Sequence, residues 1–132
     1  MKTAEPAAVL DASALLAYVH REPGYEIVRE AIQKGAVISA VNLAEALGKL
    51  KAKGLDPTQI GSKLEALGLL AVPFDEEDAL LVAELDPLTR PKGLSLGDRA
   101  CLALAKRLGL PALTADRAWA ELPLPVKVEV IR

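Results

Sequence analysis

Four acidic residues in this sequence stand where their carboxylates could act together. Asp11 directly follows a short apolar run, and Asp116 follows another one near the end of the chain. Asp98 and Glu45 each lie in the first part of an apolar helical pattern. Carboxylates that converge raise each other's pKa and repel one another, so a cluster of them needs a positive partner. Mg²⁺ and Mn²⁺ prefer oxygen ligands of this kind, and they support the hydrolysis of phosphodiesters.

Other kinds of catalytic site are disfavoured by the composition. The chain has one cysteine, Cys101, and one histidine, His20. A zinc site made of Cys and His, a Ser–His–Asp triad and a disulfide within one chain therefore have too few residues. We interpret Cys101 as a small core residue and His20 as part of a solvated helix end. The formal net charge of −2 gives no indication of nucleic-acid binding.

The length and hydropathy predict one ordinary domain. The chain has 132 residues, and we expect a single domain over residues 1–132. Hydrophobic residues make up 52% of the chain and aromatic residues only 3%, so the core must be mainly aliphatic. No stretch approaches the roughly 20 apolar residues of a membrane span, and Glu5 and Asp11 interrupt any signal-peptide pattern. We expect a cytoplasmic protein without a membrane contact.

Short apolar runs alternate with helical patterns along the chain. The runs predict buried strands at 7–10, 36–39, 69–74 and 111–115, and an alternating edge strand at 126–131. Helical patterns between them begin at residues that suit helix caps: Ser39, Asp56, Asp75 and Ser95. The helix after Asp75 is expected to end before Pro87, with a polar loop at 86–93. Strands separated by helices predict an α/β fold with a parallel sheet and helices on both faces.

Distances along these elements place the acids at one end of the domain. The ten helical steps that follow Asp98 rise about 15 Å, and the five strand steps that precede Asp116 return about 16 Å. Both residues are therefore expected at the carboxyl edge of the sheet, where Asp11 also lies, and where α/β proteins form binding sites. Glu45 lies further into its helix, but helical side chains point towards the N-terminus and can reach this edge.

Each acid also has a purely structural interpretation. Asp11 suits the N-cap of the first helix, and Asp116 suits the cap of a short turn. Asp98 is the third residue after Ser95 and could close a capping box with it. Glu45 could be a solvated surface residue.

The segments that carry these acids resemble a known family. The stretches VLDASALLAYV, ISAVNLAEAL and GLSLGDRACLALAKRLGLPALTAD, with a tryptophan shortly after, resemble PIN-domain proteins of the VapC toxin type, and the likeness spans the whole chain. The resemblance implies a doubly wound, mainly parallel sheet in the order 3-2-1-4-5 and an endoribonuclease that depends on Mg²⁺ or Mn²⁺. It further implies an RNA substrate, a small antitoxin protein as partner, and a homodimer.

The resemblance also implies roles for individual residues. Asp11 and Asp98 would bind the metal directly, and Asp116 would bind it directly or through water. Glu45 would hold a metal-bound water or act as its base. Two small hydroxyl residues would orient these ligands: Ser13 and Thr114. Helix capping and strand propensity explain the two hydroxyl residues equally well.

Basic residues occur around the same predicted edge. Such residues could contact RNA phosphates, or they could form an ordinary solvated rim. The four candidates are Arg90, Lys92, Arg99 and Arg117.

Two other functional classes share part of the pattern. A PIN-type nuclease that processes RNA or cuts single-stranded DNA would have the same acids, but such proteins are usually longer or carry an added segment. A receiver-like signalling domain also places acids at strand ends. It requires an acid pair after the first strand and a late lysine, whereas here Asp11 stands alone and the corresponding late position reads Thr-Ala-Asp.

Overall fold

A five-stranded sheet is the framework of the computed structural model, which describes residues 7–132. The first six residues, which were included in the predicted domain, lie outside this range. All neighbouring strands are parallel, in the order β3-β2-β1-β4-β5, which confirms the predicted order. The strands are one to three residues shorter than predicted: β1 (Val9–Leu10), β2 (Val37–Ser39), β3 (Leu70–Val72), β4 (Ala112–Thr114) and β5 (Val128–Val130).

Helices connect the strands and cover the sheet. Within residues 7–132 they are α1 (Ala12–Val19), α2 (Tyr25–Gln33), α3 (Ala40–Ala52), α4 (Pro57–Leu67), α5 (Glu76–Thr89) and α6 (Leu96–Leu108). Short 3₁₀ helices follow α5 and β4, at Arg90–Lys92 and Arg117–Glu121. None of the helices in this part of the chain is long and apolar enough to cross a lipid bilayer.

Side-chain caps begin the helices where the sequence predicts them. The Asp56 carboxylate accepts a backbone N–H of the first turn of α4 at 2.9 Å. Asp75 and Asp78 form a reciprocal capping box at α5, and Ser95 and Asp98 form another at α6. Each box satisfies N–H groups that would otherwise lack a partner at the start of a helix.

The prediction that α5 ends before Pro87 is wrong. The helix continues to Thr89 and runs directly into the 3₁₀ helix Arg90–Lys92, so the polar loop expected here is mostly helical. Proline removes one backbone hydrogen bond from a helix. Here the buried Thr89 hydroxyl donates to the Leu85 carbonyl at 3.0 Å, and Leu85 is itself part of the core. Tertiary packing of the last turn therefore outweighs the local signal of the proline.

The sheet is buried on both faces because successive residues of a strand point to opposite sides. Leu10 and Ile38 belong to one apolar cluster, together with residues of α1 and α2. Val9 and Val37 belong to a second cluster, together with residues of α5 and α6. The structure thus has helices on both faces of the sheet, as predicted.

A buried ion pair joins α5 to α6. The Asp78 side chain is 3% exposed, and Arg107 Nε donates to its Oδ1 at 2.8 Å while Nη2 donates to Oδ2 at 3.2 Å. The hydrogen bond with Asp78 raises the pKa of the Arg107 guanidinium. In this pair the chain itself supplies the cation that neutralises a buried carboxylate.

Removal of this cation should destabilise the fold. Arg107→Met leaves the Asp78 carboxylate buried without a charged partner, so we expect the free energy of unfolding to fall by about 3 kcal/mol at neutral pH. Urea denaturation followed by circular dichroism measures this loss. The control is Lys106→Met at the exposed neighbouring position, for which we expect a change of about 0.5 kcal/mol or less. Equal effects of the two substitutions would contradict a stabilising role of the pair.

Candidate functional site

Asp11 lies at the carboxyl end of β1, the middle strand of the sheet. It is only 3% exposed, and it caps α1 by accepting the Ala14 N–H at Oδ1 over 2.8 Å. The chain continues from β1 to β2 on one side, whereas β4 pairs with β1 on the other side. The strand order therefore reverses at β1, and binding sites of open α/β sheets form at such a point.

Two hydroxyl groups donate hydrogen bonds to the Asp11 carboxylate, and they belong to the two residues predicted to orient the ligands. The Ser13 hydroxyl is shared between the two carboxylate oxygens at 2.8 and 2.9 Å, and the Thr114 hydroxyl donates to Oδ2 at 2.6 Å. Both hydroxyl oxygens in turn accept backbone N–H groups, those of Ala115 and Asp116, at 2.9 and 3.0 Å. Since their oxygens accept from the backbone, their protons are directed towards Asp11.

The charge of Asp11 has no counter-ion from the described part of the chain. No Lys, Arg or His nitrogen of residues 7–132 lies within 4.0 Å of its carboxylate. Its pKa is raised to about 6, mainly by burial and to a small extent by the charge of Asp98, although the hydrogen bonds lower it in part. Asp78 is similarly buried but is neutralised by Arg107. Asp11 thus has the properties of a group that binds a cation from outside the chain.

Asp98 and Glu45 approach the same region from α6 and α3. Cys101, one turn after Asp98, is fully buried, and burial raises the pKa of its thiol well above the ordinary value. The charges of Asp11, Asp98 and Glu45 raise this pKa further. The three predicted acids are therefore all close enough to Cys101 for their charges to act on its thiol.

Asn42 and Gly97, which were not predicted as site residues, determine the position of the Glu45 carboxylate. Asn42 is 1% exposed, and its Nδ2 donates to Glu45 Oε1 at 3.2 Å and to the Gly97 carbonyl at 2.8 Å. A Cβ atom at position 97 would lie 2.4 Å from both Glu45 carboxylate oxygens, so glycine leaves the space that this carboxylate occupies. The three-residue spacing of Asn42 and Glu45 on one helix could have predicted their contact from the sequence. The contact of Asn42 with Gly97, 55 positions away, could not be predicted in this way.

Asp98 and Asp116 each direct one carboxylate oxygen to a local cap. Asp98 Oδ2 accepts the Ser95 N–H at 2.9 Å, and Asp116 Oδ1 accepts the Ala118 N–H at 2.9 Å. The structural interpretations of these acids are therefore realised in the fold. Their other oxygens, Oδ1 of Asp98 and Oδ2 of Asp116, accept no hydrogen bond from residues 7–132. The same side chain can therefore cap a helix with one oxygen and bind a ligand with the other.

The donor set fits a hard divalent cation, although the side chains do not converge on one point. Within residues 7–132, no three carboxylate, imidazole or thiol groups lie close enough together to hold one metal ion. The groups around Asp11 are carboxylates and hydroxyls, the donors that suit Mg²⁺ or Mn²⁺ rather than a thiolate-bound metal. The uncompensated burial of Asp11 also fits such an ion. That all four acids share one ion stays a prediction.

The basic residues predicted as RNA contacts are largely engaged in contacts within the chain. Arg90 and Arg99 both pair with Asp86 on α5, and Lys92 lies 3.5 Å from a glutamate carboxylate. Arg99 is half-buried and also donates to a carbonyl of α5 at 3.1 Å. Arg117 Nε donates to a backbone carbonyl at 3.0 Å. Contact of these side chains with RNA stays a prediction.

Comparison with known proteins gives a family and a fold. The sequence matches the family model of the PIN domain over residues 8–124. A chain of a toxin–antitoxin complex from Klebsiella pneumoniae is similar in structure, with a TM-score of 0.77, 18% identity and coverage of 96% of this chain and 98% of that chain. VapBC2 from Rickettsia felis, bound to a DNA fragment from its promoter, has a TM-score of 0.71, 20% identity and coverage of 94% and 98%.

A third similar structure is described as a toxin, and its description mentions no antitoxin. Mycobacterium tuberculosis VapC20, described as a sarcin-ricin loop cleaving toxin, has a TM-score of 0.71, 13% identity and coverage of 87% of this chain and 94% of that chain. Among curated proteins, no match is found. At these identities the structural likeness shows a shared fold.

The space at Gly97 can be tested without any activity measurement. In Gly97→Ala the new Cβ displaces the Glu45 carboxylate, the mobile end of an exposed side chain, while alanine is favoured over glycine in a helix by up to about 1 kcal/mol. We therefore expect equal or higher thermal stability together with shifted NMR signals of the Asn42 side-chain amide. In the control Gly61→Ala, where no atom lies within 4 Å of the added Cβ, these signals should stay in place. Unshifted Asn42 signals in Gly97→Ala would contradict the contact.

The buried Asp11 carboxylate predicts a pH dependence of stability in the presence of EDTA. Its pKa is about 6 in the folded protein and 3.8 ordinarily, so between these values the folded state binds more protons than the unfolded chain. The free energy of unfolding should therefore fall as pH rises from about 4 to 6, by up to about 3 kcal/mol. With Mg²⁺ in place of EDTA, we expect part of this fall to be reversed above pH 6, since a cation bound at Asp11 would favour the charged form.

Variants separate this contribution from that of other groups. Urea denaturation across the pH range should show a smaller fall for Asp11→Asn than for the unchanged protein. Asp56→Asn alters an exposed helix cap in the same way and should retain the full dependence. Identical pH profiles for Asp11→Asn and the unchanged protein would show that the Asp11 charge is not destabilising.

Proposed function

The chain belongs to the PIN domain family, and on that premise we propose that it is a metal-dependent endoribonuclease acting as the toxin of a toxin–antitoxin pair. The observation that carries the proposal is the Asp11 carboxylate, which is buried where the strand order reverses and has no counter-ion within residues 7–132. A buried carboxylate with a purely structural role would be expected to have a cationic partner, as Asp78 has in Arg107.

The similar structures support the toxin assignment and the choice of RNA. Two of them are named as toxin–antitoxin or VapBC complexes, and VapC20 is named as a toxin that cleaves the sarcin-ricin loop. By analogy, we propose RNA as the substrate, a small antitoxin protein as the partner, and a homodimer as the assembly. The family match argues against the receiver-like alternative, because receiver domains belong to a different protein family from the PIN domain.

The four acids would hold the ion, with Mg²⁺ as the first candidate and Mn²⁺ as the second. Asp11 and Asp98 would bind it directly, Asp116 directly or through water, and Glu45 through water. When bound, the ion would lower the pKa of a water molecule and stabilise negative charge on the phosphodiester. Asp98 Oδ1 and Asp116 Oδ2 take no part in the helix caps and are the atoms available for this role.

The remaining chemistry follows from the contacts of the chain itself. The hydroxyls of Ser13 and Thr114 fix the plane of the Asp11 carboxylate, because both donate to it while their oxygens accept from the backbone. Asn42 donates to Glu45 Oε1 and holds that carboxylate against the first turn of α6. As the water oxygen bonds to phosphorus, the Glu45 carboxylate accepts the proton of the water, and the leaving oxygen departs from phosphorus and takes a proton from solvent.

Cleavage of RNA by purified protein tests the proposal. Asp11→Asn and Asp98→Asn should each lower the rate by more than the about 10–100-fold typical of a residue that only orients a ligand. EDTA should abolish cleavage, and added Mg²⁺ should restore it. Asp56→Asn, the same change at a remote helix cap, should leave the rate unchanged. Gel analysis of labelled RNA measures each rate.

Three outcomes would contradict parts of the proposal. Cleavage that survives EDTA or either site substitution would remove the metal-dependent mechanism. Equal cleavage of single-stranded DNA in competition with RNA would favour the other type of PIN nuclease. The toxin role requires that expression arrests growth and that co-expression of the adjacent gene relieves the arrest; normal growth would contradict it.

A further inference from the structure

A pocket with basic residues lies beside Asp11, between α1 and the second half of α3. Its volume is about 440 Å³. Ser13 forms part of its wall and also donates to both oxygens of the Asp11 carboxylate, at 2.8 and 2.9 Å. The pocket therefore begins one hydrogen bond away from the proposed catalytic carboxylate. It is termed the basic pocket and is defined by its polar residues Ser13, His20, Glu22, Lys49, Lys53 and Arg132.

The basic pocket carries an excess of positive charge. Its acidic residue, Glu22, is paired with Arg132 at 3.2 Å. Lys49 and Lys53 are exposed, and within residues 7–132 neither has an acidic partner inside 4.0 Å. Lys53 Nζ lies 3.4 Å from His20 Nε2, but this contact does not neutralise the charge of the ammonium group. Two ammonium groups are thus available to an anion in the pocket that Ser13 joins to Asp11.

The helix dipole is a simpler explanation for lysines at the end of α3. Lys49 and Lys51 lie in its last turn and Lys53 is its C-cap, and positive charge is favoured at all three positions. Lys51 is also exposed and has no acidic partner in the described part of the chain, but it does not line the pocket. The dipole therefore accounts for the three lysines, but it does not account for two of them lining one cavity with Ser13.

We infer that the basic pocket binds a backbone phosphate of the RNA strand, on the Ser13 side of the phosphate that is cleaved. The inference rests on the proposed function, which puts a phosphodiester at Asp11, and Ser13 joins that carboxylate to the pocket. Lysine ammonium groups beside an anionic backbone supply most of the affinity of such contacts. Near α5, Arg90 and Arg99 share the carboxylate of Asp86, so fewer unpaired charges are available there.

The test measures binding of a labelled single-stranded RNA by fluorescence anisotropy, in EDTA and across a series of salt concentrations. We expect Lys49→Gln and Lys53→Gln each to weaken binding several-fold and the double variant about ten-fold or more. Each lost phosphate contact should also reduce the slope of log K against log salt by about 0.7. Lys51→Gln is the matched control, since it removes the same charge from the same helix end but lies outside the pocket.

Turnover in Mg²⁺ gives a second readout that a purely structural role would not change. Loss of a substrate phosphate contact should raise KM for RNA while kcat at saturation stays near that of the unchanged protein. Thermal unfolding of the single variants should be alike, because each removes one exposed positive charge from the same helix end. A lowered kcat with an unchanged KM would overturn the inference.

The remaining outcomes separate this inference from the proposed function. Equal effects of Lys51→Gln and the pocket variants on affinity and salt slope would overturn the inference, while cleavage by the unchanged protein would still support the nuclease. A double variant that binds RNA normally but no longer binds the antitoxin would also overturn it and assign the pocket to an acidic protein segment. An unchanged protein that cleaves no RNA in Mg²⁺ would remove the proposed function itself.

Discussion

Burial of the Asp11 carboxylate without a cation from the described chain is the constraint on which the rest of this structure depends. Transfer of an ionised carboxylate out of water is unfavourable unless charge or hydrogen bonds compensate for it. Here Ser13, Thr114 and the Ala14 N–H supply hydrogen bonds but no charge, and the pKa of Asp11 stays raised at about 6. The fold therefore gives up stability at a point where the sheet topology creates a binding site.

The neighbouring acids serve the fold and the site at the same time. Asp98 and Asp116 each use one oxygen to cap a helix and leave the other without a partner from residues 7–132. Glu45 has a different support, since Asn42 holds it from α3 while Gly97 leaves room for it on α6. Helix termini and a missing side chain thus place acidic groups around one region without a dedicated loop. The same arrangement couples the stability of α6 to the geometry of the site.

The small net charge of the chain conceals an uneven distribution around this site. On the side of α5, Arg90 and Arg99 share the single carboxylate of Asp86. On the side of α3, Lys49 and Lys53 have no acidic partner in the described residues and line a pocket next to the site. A formal charge of −2 therefore indicates little about which anions the surface attracts. The pairing of each cation is decided by helix packing, which composition does not report.

The sequence by itself determined the local features: helix starts, strand positions, and acids that follow the first and fourth strands. These depend on neighbours within a few residues, so capping residues such as Ser95 and apolar runs are sufficient signals. Only the tertiary structure decided that α5 continues past Pro87, because core packing of its last turn outweighs the local preference. It also decided that Asn42 meets the backbone 55 positions away, and which lysines line the pocket beside Ser13. Such contacts depend on how helices pack across the sheet, and no pattern along the chain encodes that packing directly.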